Sequence, residues 1–176
     1  MKTLRPALLT LSLFLAVSAP STAVVAAEPA APAAAQLEAN KALVRRLFKA
    51  FNEGDLATLN EISDSRRTIH TATGSVSRDG QPRKTLAEAC PMCASLNPRA
   101  ITIDFIMAEG DLVTVRSIWR GKYSGTVRDM PIAGKDVTVY YTNTYRLKDG
   151  KLVENWAAYD RLHLLEQLGF SVAPPG

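Results

Sequence analysis

The chain has 176 residues, 47% of them hydrophobic, with a formal net charge of +4 and two cysteines. Loss of Lys2 and Arg5, one charge each, with the N-terminal segment leaves +2, and no Lys/Arg run is interleaved with aromatics, so nucleic acid is not an expected partner. There is no Gly-rich phosphate loop and no His-x-x-x-His or Cys-rich metal spacing, so neither a metal nor an organic cofactor is expected.

Residues 1–27 carry the marks of a signal peptide. Lys2 and Arg5 form a basic start, and Leu8 to Val17 is an apolar run. That run is shorter than the roughly 20 residues a membrane span needs. Val25-Ala26-Ala27 supplies small residues for cleavage after Ala27, with Ala23 as the alternative. The expected product is periplasmic or secreted, with no stable membrane anchor after processing. Residues 28–35 read as a flexible Ala/Pro-rich leader. Residues 36–170 form one domain with one core, and 171–176 a C-terminal tail.

From Gln36 to Phe51 the residues Leu37, Val44, Leu47, Phe48 and Phe51 keep helical spacing, and Gly54 is a natural stop. Asp55 caps a short second helix through about Ile62, with Leu56, Leu59 and Ile62 on its buried side. Thr68 to Thr73 is β-rich. Lys84 to Leu96 is helix-like but broken by Pro91. Strands follow. Ile101, Ile103, Phe105 and Met107 alternate with Thr102, Asp104 and Ile106. After a turn at Glu109-Gly110-Asp111, Val113, Val115, Ser117 and Trp119 share the next buried face. A Gly/Pro loop is expected before the strand Val137 to Leu147. Asp149-Gly150 is a hairpin signal, because both positions must tolerate positive φ, and Lys151 to Tyr159 pairs back. Helices first and an antiparallel meander afterwards is an α+β layout with helices on one face of the sheet.

Val137, Val139, Tyr141, Asn143, Tyr145 and Leu147 share one face. A polar Asn143 in that row suits a pocket wall that orients a mostly apolar ligand, or a bulge where its amide bonds to backbone. Trp119, Tyr141 and Trp156 are the aromatic candidates for lining such a pocket. Asp160 stands where the last strand enters the last helix. Facing an apolar cavity, its charged form is disfavoured and the carboxyl can exchange protons with a substrate. Facing outward, it is an N-cap for Arg161 to Leu168. His70 is a candidate second acid/base because imidazole titrates near neutral pH, or else a hydrogen-bonded strand side chain. His163 is a solvated helix residue or a partner that tunes Asp160. Cys90-Pro-Met-Cys93 is expected to form a local disulfide that fixes a kinked helix in an oxidising compartment, with redox exchange as the alternative.

Four stretches, Asn40 to Leu56, Met107 to Arg116, Met130 to Val137 and Glu154-Asn-Trp…Asp160…Leu165-Glu-Gln-Leu-Gly169, resemble in order and spacing the SnoaL-like ester cyclases of the nuclear-transport-factor-2-like superfamily. The resemblance runs from Gln36 to Phe170. It implies a cone-shaped barrel in which a curved, mostly antiparallel sheet wraps a cavity closed by the N-terminal helices, often dimerised through the sheet. It implies cofactor-free acid/base chemistry, such as an aldol-type cyclisation, on a small apolar carbonyl compound. The Trp-x-x-x-Asp spacing puts the acid/base of that chemistry on Asp160. The superfamily also contains binding proteins, so a cone that only holds a hydrophobic ligand is the alternative. The chain departs from the family in its expected export, in the loop Ile69 to Gly74, and in the Cys90–Cys93 motif.

Overall fold

The computed structural model describes residues 31–127 and 129–171; the expected signal peptide, its cleavage site, the start of the leader and residues 172–176 lie outside the described residues. Helix α1 spans Ala31–Glu53. It starts ahead of the expected Gln36 because Ala33, Ala34 and Ala35 are the best helix formers and Pro32 is tolerated in a first turn. Gly54, at φ +70°, ends it in the left-handed region, and α2, Leu56–Ile62, follows with Asp55 as its cap. The Asp55 carboxylate accepts from both the amide and the hydroxyl of Thr58.

A hairpin of β1 (Ser63–Thr71) and β2 (Gly74–Ser77) comes next. Two one-turn helices, α3 (Leu86–Ala89) and α4 (Pro91–Ser95), flank an extended Cys90. The expected kink is therefore a full break, with Pro91 opening the second helix. Four long strands complete the sheet: β3 (Leu96–Glu109), β4 (Leu112–Val127), β5 (Met130–Lys148) and β6 (Lys151–Tyr159). Helix α5, Arg161–Gln167, closes the described fold. Sheet order is β2-β1-β6-β5-β4-β3, antiparallel throughout except for the parallel β1–β6 pair. The sheet is curved and unclosed, and this is the expected α+β cone without a sealed seam.

The expected Gly/Pro loop before Val137 is instead strand. Beyond an irregularity at Tyr123/Gly125, the ladder continues through Gly125↔Ile132, Thr126↔Pro131 and Val127↔Met130. The hairpin turns at Asp129, a non-glycine residue at φ +64°. A second difference lies in β3. Its ladder slips between Ile103 and Phe105, so one extra residue reverses the alternation beyond it. Ile101 stays buried, while Phe105 and Met107 emerge on the outer face and Ile106 and Ala108 pack inward.

The core lies between α1 and the concave face of the sheet. Val44, Leu47, Phe48 and Phe51 project from one stripe of α1 onto Val113, Val115, Trp119 and Tyr145, all buried. Each such side chain contributes roughly 1.5–3 kcal/mol on burial. Phe48 meets Trp119 and Tyr145 edge-on, at centroid distances of 6.5 and 6.4 Å. Polar ties set the helix on the sheet. Asn52 donates to the Ile101 carbonyl and accepts from its amide, and Arg99 Nε donates to the Phe51 carbonyl. At the other end, Gln167 of α5 pairs with both backbone groups of Thr138.

Candidate functional site

Under the curved sheet lies a cavity of about 300 Å3. Its walls follow from strand alternation. Arg67, Ile69 and Thr71 point inward from β1; Asn155, Ala157 and Tyr159 from β6; Tyr141, Asn143 and Tyr145 from β5; and Trp119 from β4. Phe51 of α1 forms the floor, and Cys90, Pro91 and Met92 form the lip. The aromatic wall is continuous. Trp119 lies 4.7 Å from Tyr141, which stacks on Tyr159 at 4.6 Å. An adjoining hollow of about 220 Å3 shares Phe51, Arg67, Arg78 and Ala89 with the cavity, so the two meet at the arginines.

The charged residues in the cavity wall are the arginines Arg67 and Arg78, while the adjoining hollow is also lined by Asp64 and Arg83. Arg67 is 8% exposed, and burial, reinforced by the neighbouring Arg78 charge, pulls its pKa down to about 10. It remains a cation at neutral pH. Its terminal nitrogens reach Ser63 Oγ at 2.9 Å and the Ala89 carbonyl at 3.5 Å. Arg78, half-buried, donates to the carbonyls of Glu88 and Ala89 at 2.9 and 3.1 Å. Burial pushes the phenols of Tyr141 and Tyr145 well above the usual tyrosine range, so both are neutral hydrogen-bonding groups. Asn143 is 5% exposed, and its Nδ2 has no partner. The disulfide Cys90–Cys93 spans a Cα separation of 5.2 Å at the cavity lip, with both residues buried.

The structure divides the residues expected from sequence. It brings Trp119, Tyr141 and Asn143 together in the cavity wall. It puts His70 and Trp156 on the opposite face of the sheet, stacked on each other at 5.0 Å and 10°. There His70 bonds Ser75 Oγ through Nδ1 and Glu154 Oε1 through Nε2, both at 2.7 Å. The reason for Trp156 is a bulge: Leu147 pairs with Leu152 but Arg146 pairs with Glu154, so Val153 is an extra residue. Without it Trp156 would share the inward face of Leu152. Asp160 is exposed and lies outside the cavity lining; its Oδ1 accepts from the His163 amide at 2.9 Å, the geometry of an N-cap. His163 itself is exposed and lies 3.7 Å from Glu166. Among the described residues no group of three or more His, Cys, Asp or Glu side chains is arranged to hold a metal ion.

The sequence reading missed Arg67 and Arg78. The available signal was the phase of β1, since Arg67 stands two residues before Ile69 and so shares its inward face.

This fold and this cavity can be compared with known proteins. The profile of the SnoaL-like polyketide cyclase family matches residues 41–168. The chain belongs to the SnoaL-like polyketide cyclase family. Among solved structures, it is 30% identical to IdmH, a candidate polyketide cyclase from Streptomyces antibioticus, with a TM-score of 0.57 over 74% of this chain and 99% of that one. A candidate SnoaL-like polyketide cyclase from Jannaschia sp. CCS1 matches at 20% identity and a TM-score of 0.64, over 85% and 100% of the two chains. An epoxide hydrolase of the LEH-like type from M. tuberculosis shares the fold at 14% identity and a TM-score of 0.57, over 76% and 91%. No curated protein sequence matches the chain. Among the described residues no helix is long and apolar enough to cross a membrane.

Proposed function

We propose that this member of the family holds a small, flat, mostly apolar carbonyl compound in the aromatic cavity, and that binding rather than proton transfer by Asp160 is its primary activity. One observation carries this reading. The Asp160 carboxylate is exposed and engaged by the His163 amide, away from the cavity, while Trp119, Tyr141 and Asn143 line it. A carboxylate in that position faces solvent rather than the space a ligand would fill. The second reading is cofactor-free acid/base turnover, such as an aldol-type cyclisation, through Asp160. Family membership and the spacing from Trp156 to Asp160 favour it.

Native mass spectrometry of the purified protein is expected to find a bound small molecule that stays unchanged on incubation. Asp160→Asn should retain it, since Asn caps a helix about as well as Asp. Asp160→Ala should lose about 0.5–2 kcal/mol of stability, with the cap. Conversion of that molecule by the wild type, slowed on the order of 10²–10⁴ by Asp160→Asn, would overturn the binding reading.

Two proposals complete the picture. The chain is exported and cleaved after Ala27, supported by the basic start, the short apolar run and the small residues before Glu28. N-terminal sequencing beginning at Glu28 is the expected result, and an uncleaved cytoplasmic product would refute it. The protein pairs as a homodimer through the outer face of the sheet, supported by Phe105, Met107 and Tyr140, which are 43%, 56% and 46% exposed. Sedimentation as a monomer at micromolar concentration would remove it.

A further inference from the structure

Every buried side-chain polar atom that lines the cavity and lacks a hydrogen-bond partner is a donor: Nε of Arg67, Nε of Arg78 and Nδ2 of Asn143. Asn143 could turn its amide and present an acceptor instead, but a guanidinium has only donors. No ion pair among the described residues involves Arg67 or Arg78, whereas nearby Arg83 is matched by Asp79 at 2.5 Å. Two like charges thus stand side by side at the junction of the two hollows, one of them, Arg67, buried. A buried cation without a counter-ion weakens a fold unless something else repays the desolvation. The Ser63 hydroxyl and backbone carbonyls at the end of α3 take up the terminal nitrogens, and Asp79 and Glu88 act on Arg78 from beyond ion-pair distance, but no carboxylate contacts either guanidinium. Those hydrogen bonds fix both guanidinium groups in place and leave each Nε–H unused.

We infer that the natural ligand of this cavity is an organic anion: a flat aromatic carboxylate whose oxygens dock at Arg67 and Arg78 and whose ring lies along Trp119 and Tyr141. This rests on the reading that the cone holds a small ligand, and it names the chemical class. A carboxylate offers two acceptors in one plane and matches guanidinium donors better than any neutral carbonyl. Asn143 donates to a second oxygen on the ring. The cavity, about 300 Å3, stands at the small end of ligand pockets and suits one or two fused rings.

The test compares 2-naphthoate with its neutral methyl ester on the protein as isolated, by titration calorimetry at pH 7. The acid is expected to bind at least tenfold more tightly than the ester, and the gap should narrow as salt is raised. Arg78→Gln should erase most of the gap, weakening the acid at least several-fold more than the ester. Arg67→Gln should do the same, but its buried site puts folding at risk, so the half-buried Arg78 and the wild-type comparison carry the result. Equal binding of acid and ester, or equal loss of both in Arg78→Gln, overturns the anion inference and leaves the ligand-holding cone intact. Failure of both probes to bind overturns the cone reading and the inference with it.

Discussion

The two faces of the sheet use the same residue types to opposite ends. On the outer face, Arg146 lies between Asp111 and Glu154, at 3.7 and 3.5 Å, and its guanidinium covers the ring of Trp156 at 5.5 Å. His70 closes that cluster by bonding Glu154. Each charge there has an opposite charge beside it, and the side chains are partly exposed, although Arg146 Nε is itself buried without a hydrogen bond. On the inner face, Arg67 is buried without a carboxylate, beside a second arginine and a wall of aromatic rings. Surface pairs of the first kind contribute little and need no ligand. An unmatched buried charge costs stability, so its persistence calls for an anion from outside the chain. The aromatic rings follow the same division. Trp119 is 4% exposed and supports the core, while Trp156 stacks on His70 at the surface.

That contrast can be broken most sharply at the two tryptophans. Trp119→Ala removes a buried ring in contact with Phe48, Phe51 and Tyr141, and chemical denaturation should show a loss of about 3–5 kcal/mol. Trp156→Ala should cost far less and leave ligand binding unchanged. A Trp156 variant that lost binding at full stability would return that ring to the site. A smaller effect is expected at Glu154→Gln, which leaves His70 and Arg146 without their shared carboxylate. Thermal or denaturant unfolding should register about 0.2–1 kcal/mol, with affinity for cavity ligands untouched. A larger loss would show that the outer cluster is more than a solvated network.

The smallest effect concerns pH. The Asp55 carboxyl is held below its usual range, first by the Thr58 hydroxyl and then by the Thr58 amide. A depressed folded value means that the stabilisation is present above the unfolded pKa, about 3.9, and is lost as pH falls through the lower folded value. Asp55→Asn should keep the cap of α2 and flatten the stability profile below about pH 4. An unchanged acid limb would assign that slope to other carboxylates, Glu61 and Asp79 first, since both are also held low by arginine partners or backbone amides.

Much of the fold was legible because local signals agreed with one another. The alternation from Val137 to Leu147 predicted a face that is buried at every one of its positions. Asp149-Gly150 predicted a hairpin, and both residues take positive φ. Asp55 predicted a cap that forms two bonds to Thr58. The site was less legible. Period-two reasoning is reliable only while every residue has a partner, and one extra residue reverses every side chain beyond it. The bulge at Val153 turned Trp156 outward, and the slip near Asp104 did the same to Phe105 and Met107.

The sequence by itself determined the layout of helices and strands, the family, the buried row of β5, and the placement of Trp119, Tyr141 and Asn143 on inward faces. Hydrophobic period, turn chemistry and motif order are local or linear properties, so they can be read along the chain. Only the tertiary structure decided that His70 and Trp156 face away from the cavity, that Asp160 caps a helix in solvent, and that Arg67 and Arg78 meet at the cavity with no carboxylate in ion-pair contact. Those are properties of register and desolvation. They depend on which strand lies beside which, and on how much water each group loses when the sheet curls over α1.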